Sequence, residues 1–160
     1  MKTIHLGSSG VMVSAIGVGC MRLNKLSEKE RSAYVHTALE KGINFFDHAD
    51  IYGHGECEAL FGNVLVQEPG LRDRMVLQSK CGIRPVMYDF SKDHILRRVE
   101  GIFHRLHTAH LDVLLPHRPA AQIDPDAVGE AFHVMAPARQ LLPLGGTNST
   151  PRPTDSRPWG

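Results

Sequence analysis

At 160 residues with 42% apolar side chains, the chain is long enough for one domain with its own core. Its 18 Lys and Arg nearly balance 17 Asp and Glu, so no strong field draws it to nucleic acid or an anionic membrane, and no apolar run reaches spanning length. Residues 1–20 lack the charged start and long apolar core of a secretory leader, and the cysteines (Cys20, Cys57, Cys81) form neither a CxxC pair nor an even-numbered framework, so a cytoplasmic protein with reduced thiols is expected.

Residues 3–13 read as a hairpin turning at Gly7-Ser8-Ser9-Gly10. Four repeats of an apolar strand and an amphipathic helix follow. Ala15–Met21 is the first predicted strand, and Ser27 with Glu30 forms a capping box for a helix that runs through Leu39 and stops at Gly42. Ile43–Asp47 is the second strand, with a helix over Glu56–Val66; Met75–Lys80 is the third. Ser91 caps a longer helix with Ile95, Val99, Ile102 and Leu106 on one face. Leu111–His117 is the fourth strand, and Asp124-Pro125 opens a helix through about Met135, ended by Pro137. Such alternation implies an α/β fold around a parallel sheet of right-handed crossovers.

Polar and charged residues collect at the C-terminal ends of these strands, where α/β folds place their chemistry. Asp47 ends the second strand, Tyr52 follows in the same loop, Lys80 ends the third strand and His117 the fourth. Each alone has a structural explanation as a loop cap, a packing ring or a carboxylate partner. Together they hold an acid, a phenol, an ammonium and an imidazole at one rim. A phenol is a weak acid whose ionised form an adjacent cation favours, which suits carbonyl reduction: charge builds on the carbonyl oxygen and aimed donors stabilise it.

The run Gly42-Ile-Asn-Phe-Phe-Asp47-His-Ala-Asp-Ile-Tyr52-Gly53, followed by Glu58 and Gly62, resembles the signature of the aldo-keto reductases. Ser79-Lys80-Cys-Gly and Leu114-Leu-Pro-His117-Arg-Pro119 resemble that family's next two motifs, in order, over about residues 3–135. The resemblance implies a (β/α)₈ TIM-type barrel and NADPH-dependent reduction of an aldehyde or ketone. It makes Tyr52 the general acid, Lys80 the cation that eases its ionisation, Asp47 the partner of Lys80, and His117 the group that orients the carbonyl. It also implies cofactor contacts from Gly19, Cys20 and Met21, whose backbone would lie under the nicotinamide, and from Asp47. Gly145-Gly-Thr147-Asn148-Ser-Thr-Pro151 resembles the family's fifth-strand motif, giving Thr147 and Asn148 as carboxamide contacts.

A complete barrel needs about 250 residues, so four to five βα units after an N-terminal hairpin make this an incomplete one. Residues 1–135 are expected as the partial barrel and 136–160 as a degenerate fifth-strand region and irregular tail, with four Pro and three Gly after residue 142. Arg139–Leu144, with Pro143, makes a poor fifth strand. Pro116 interrupts an apolar strand and is expected to leave a carbonyl opposite it unpaired. The expected protein is a truncated or frame-damaged reductase that associates with itself through the open barrel edge. A catalytically inactive fragment or interaction module stands as the alternative. A metal-dependent hydrolase using His48, Asp50, His54, Glu56 and His117 is a third reading, without HxH or HExxH spacing; no metal is expected.

Overall fold

The computed structural model of the chain describes residues 1–7, 9–118 and 124–135. Strand β1 (Thr3–His5) pairs antiparallel with β2 (Met12–Ser14), and Gly7 and Gly10 take φ of 56° and 76° to turn the chain between them. Strand β3 (Gly17–Gly19) is shorter than its apolar run. Helix α1 (Glu28–Glu40) begins at the predicted capping box, with the Ser27 N–H donating to the Glu30 carboxylate and the Glu30 N–H to the Ser27 hydroxyl. Gly42, at φ 75°, ends it by donating its N–H to the Leu39 carbonyl. Then come β4 (Phe45–Asp47), α2 (Glu56–Gln67) and β5 (Val76–Cys81).

A small antiparallel hairpin follows, β6 (Ile83–Arg84) with β7 (Met87–Tyr88), which the sequence did not announce. Its turn puts Val86 at φ 64°, a position where a β-branched residue is disfavoured and a glycine or asparagine cue would be expected. Helix α3 (Lys92–Leu106) buries the anticipated stripe of Ile95, Val99, Ile102 and Leu106. Ser91 stands at its N-cap position, but the Ser91 hydroxyl donates to Asp89 Oδ1 rather than accepting from the helix, so the predicted side-chain cap is not made. Strand β8 (Val113–Pro116) and helix α4 (Pro125–Met135) complete the described elements. Asp124 Oδ1 caps α4 by accepting the Asp126 N–H, and Val128, Ala131, Phe132 and Met135 face inward.

The four longer-range strands form one parallel sheet in the order β3-β4-β5-β8. Phe46, Leu77, Cys81 and Leu114 bury one face against the helices. On the other face, Val13 of the hairpin clusters with Val76, Val113 and Leu115. This is half of a TIM-type (β/α) barrel, with helices outside and the hairpin against the inner wall.

Pro116 does not leave the Cys81 carbonyl of β5 bare, and its missing N–H would face the side of the expected fifth strand, which lies outside the described residues. The Cys81 carbonyl accepts the His117 N–H at 2.8 Å, and successive strand N–H groups point to opposite sides, so the missing donor of Pro116 faces away from β5. Residues 136–160 lie outside the described residues, and with them the expected fifth strand, Pro137, Pro143, Thr147 and Asn148. Pro119 of the fourth-strand motif lies outside them too.

Candidate active site

Strand alternation decides what faces the barrel interior. Register sets Gly19, Asp47, Gln78 and Val113 side by side in one row across the sheet, and Lys80 beside Leu115 in the next. His117 follows Leu115 by two residues and so continues the same face. Three groups distant in sequence thereby share the upper inner wall.

The Lys80 ammonium is the hub. It donates to Asp47 Oδ1 at 2.5 Å, to the His48 carbonyl at 2.8 Å and to the Tyr52 hydroxyl oxygen at 3.3 Å. The Tyr52 hydroxyl is also 3.5 Å from Asp47 Oδ2, so the carboxylate spans both partners. The Tyr52 and His117 rings stand edge to face with centroids 6.1 Å apart. Burial, and after it the Lys80 charge, holds the His117 imidazole below its ordinary range, and its Nδ1 is buried without a partner among the described residues. A neutral imidazole keeps one N–H to donate to a carbonyl oxygen.

Tyr52 owes its place to its loop. The His48 N–H donates to the Gln78 carbonyl and the Asp50 N–H to the Lys80 carbonyl, extending β4 along β5 past its last strand residue. The chain then turns through Gly53, His54 and Gly55 at φ of 57°, 56° and 93°. Two of the three are glycines; His54 pays about 1–2 kcal/mol for the left-handed backbone. Gly55 is also where a Cβ would come within 3.0 Å of the Arg105 side chain. Arg98 on α3 anchors the loop through a 2.6 Å bond to buried Asp50.

The inner wall opens into a cleft of about 490 Å³ lined by Gly17, Gly19, Asp47, Gln78, Lys80 and Leu115 among others. Nothing lies within 4 Å of where a Gly19 Cβ would be, so a flat ring can approach the backbone there. That opening fits a nicotinamide beside the Lys80 group. Cys20 offers its backbone alone: its side chain is fully buried, burial pushes the thiol up, and its N–H donates to the Asp47 carbonyl. Met21 is exposed.

Sequence reasoning passed over Gln78, whose Nε2 donates to Asp47 Oδ1 at 2.5 Å. An amide two residues before Lys80 in an apolar strand was the available signal. Glu58 and Gly62 prove to be packing residues on the helix side. Buried Glu58 accepts from the Ser79 hydroxyl at 2.6 Å and Arg105 Nε at 2.8 Å, while a Gly62 Cβ would meet the Arg105 carbonyl at 2.2 Å. Burial raises the Glu58 carboxyl, against the pull of Ser79 and Arg105. Three of the five residues weighed for a metal are otherwise engaged: Asp50 with Arg98, Glu56 with Asn24, and His48 buried edge-on to Phe61. Among the described residues no three His, Cys, Asp or Glu converge on a common point.

Residues 15–140 match the model of the Aldo/keto reductase family. An uncharacterized oxidoreductase of Bacillus subtilis is 41% identical over 92% of this chain and 53% of its own length. A 6-dehydroglucose reductase of Novosphingobium aromaticivorans is 38% identical over 91% of this chain and 51% of its own. The aldo-keto reductase of Bacillus halodurans, solved in its holo form, superposes with a TM-score of 0.81 at 31% identity, over 92% of this chain and 50% of that one. The chain thus spans about half the length of the relatives it matches.

Proposed function

The chain belongs to the aldo/keto reductase family, and from that premise we propose that its site carries out NADPH-dependent reduction of a small aldehyde or ketone to the alcohol. The observation that carries the reading is the Lys80 ammonium bonded to Asp47 Oδ1 at 2.5 Å and within 3.3 Å of the Tyr52 hydroxyl. Tyr52 donates the proton that the carbonyl oxygen takes up. Lys80 stabilises the phenolate left behind, and Asp47, with Gln78 on the same oxygen, holds Lys80 in place. His117, neutral and on the same wall, presents an N–H to the carbonyl oxygen. Gly19, Cys20 and Met21 offer backbone to the nicotinamide with Asp47 beside it, and Thr147 and Asn148 are proposed for the carboxamide; the bound cofactor supplies the reducing equivalent. The preference for NADPH over NADH rests on family likeness.

Residues 1–135 are proposed as a partial (β/α) barrel and 136–160 as a degenerate fifth-strand region and irregular tail. A cytoplasmic location is proposed, in keeping with three free, buried cysteines, which suit a reducing compartment. Strands β3 and β8 are the outer strands of the described sheet, and the 160-residue chain is proposed to self-associate through this open barrel edge. Light scattering at micromolar concentration should find a dimer or larger species; a sharp monomer with a cooperative melt overturns that.

The function is tested with Tyr52→Phe and Lys80→Met. Tyr52→Phe should lower carbonyl turnover by roughly 10²–10⁴-fold and leave NADPH binding, followed by nicotinamide fluorescence, nearly unchanged. Lys80→Met should be nearly as damaging. Wild-type turnover in either variant refutes the assigned roles. A folded wild-type chain that ignores NADPH instead favours the interaction-module reading.

A further inference from the structure

Between the Tyr52 loop, the β6–β7 hairpin and α3 lies a second cavity of about 580 Å³, whose walls include Asp50, His54, Arg84, His94, Arg97 and Arg98. It shares no wall residue with the cleft at Asp47 and Lys80. Its walls carry three guanidinium groups against one carboxylate, and Asp89 behind them, 3.6 Å from His94 Nδ1, leaves one guanidinium in excess. Arg98 is committed to Asp50 Oδ2 at 2.6 Å, and Arg84 to Asp89 Oδ2 at 2.8 Å. Arg97 is exposed and has no carboxylate partner among the described residues.

A second observation comes from two buried wall residues. Asp50 is 1% exposed and His94 8% exposed, yet Asp50 Oδ1 and His94 Nε2 have no hydrogen-bond partner among the described residues. Buried polar atoms are rarely left so, and two of them in the wall of one cationic cavity call for a ligand that can both accept and donate. We propose that this cavity binds a phosphate group, as hydrogen phosphate or as a phosphate monoester. Guanidinium forks match phosphate oxygens, and the imidazole of His94 adds a donor. Asp50 Oδ1 can only accept, so it asks the ligand for a proton. Hydrogen phosphate has a P–OH to give, and an ester can give a hydroxyl of its carbon skeleton. Sulfate carries no proton at neutral pH and would set anion against anion. The walls include Asp50, Ile51 and His54, so the bound phosphate would tie the loop that carries Tyr52 to α3.

The test is a titration of the ¹⁵N-labelled 160-residue chain, at constant ionic strength and pH 7, with inorganic phosphate, ribose 5-phosphate and sulfate. Saturable amide shifts are expected at residues 50–54, 84 and 94–98, with phosphate binding at least ~10-fold tighter than sulfate. Ribose 5-phosphate binding tighter still identifies the ligand as an ester; equal affinity identifies free phosphate. Arg97→Ala, an exposed change, should weaken phosphate ~10-fold with the circular dichroism unchanged. Asp50→Asn should erase the preference over sulfate; should that buried variant not fold, the anion comparison and the Arg97 variant decide alone. Sulfate binding as tightly as phosphate, or Arg84→Ala and Arg97→Ala both binding like the parent, overturns the proposal.

Discussion

Taking the solution from pH 7 to pH 5 is expected to destabilise the fold by about 2 kcal/mol through His48 alone. His48 is fully buried, edge-on to Phe61 with ring centroids 4.5 Å apart, and neither ring nitrogen has a partner among the described residues. Burial, and after it the Lys80 charge, pushes the imidazole from 6.5 down to about 3. The unfolded chain takes up this proton near 6.5, whereas the folded chain refuses it until about 3. The folded value is depressed, so the associated stability is fully present above 6.5 and is lost as pH falls, by about 1.4 kcal/mol per unit. Integration over the two units, allowing for partial titration near 6.5, yields the figure above. Urea melts at pH 7, 6 and 5 on the parent and on His48→Leu, which does not ionise and leaves no orphaned nitrogens, measure it. The parent should lose about 2 kcal/mol more than the variant. His94, His110 and His117 are also held low by burial, but they act in both proteins and cancel in the difference. Parallel pH slopes would show that His48 is hydrated or partnered in solution, and the argument would fail.

Gly62→Ala should destabilise by about 1–3 kcal/mol in a denaturant melt, because its Cβ would fall 2.2 Å from the Arg105 carbonyl where α2 meets α3. A neutral result would mean that the two helices separate freely. Arg105→Met should cost about 3 kcal/mol at pH 7 by leaving buried Glu58 without its cation. Since burial already raises the Glu58 carboxyl, that cost should shrink as pH falls and Glu58 takes up a proton; a pH-independent loss would point to lost packing instead.

Periodicity made the repeated βα units readable, because a helix that covers a sheet must show a stripe such as Ile95-Val99-Ile102-Leu106. Caps and stops were equally local: Ser27 with Glu30, Gly42, and Asp124 all act through backbone bonds made within a few residues. The β6–β7 hairpin escaped because its turn runs through fully exposed Val86 at a positive φ, with no glycine or asparagine to announce it. The missing Ser91 cap has a similar origin, since its hydroxyl found Asp89 rather than the helix. Pro116 depends on tertiary structure in another way. Whether a missing N–H matters depends on the side it faces, and only the pairing of β8 with β5 settles that.

The chain order therefore determined by itself which residue types stand at the strand ends, because strand length, turn chemistry and helix caps are short-range. It placed Asp47, Lys80 and His117 at three such ends and Tyr52 in the loop between. Tertiary structure alone decided that Lys80 Nζ reaches both Asp47 and Tyr52, that Gln78 shares the carboxylate, and that Glu58 pairs with Arg105 and Asp50 with Arg98. Those meetings depend on strand register and on helices packed across the sheet. Residues tens of positions apart are brought within bonding distance there, and no local pattern encodes that distance.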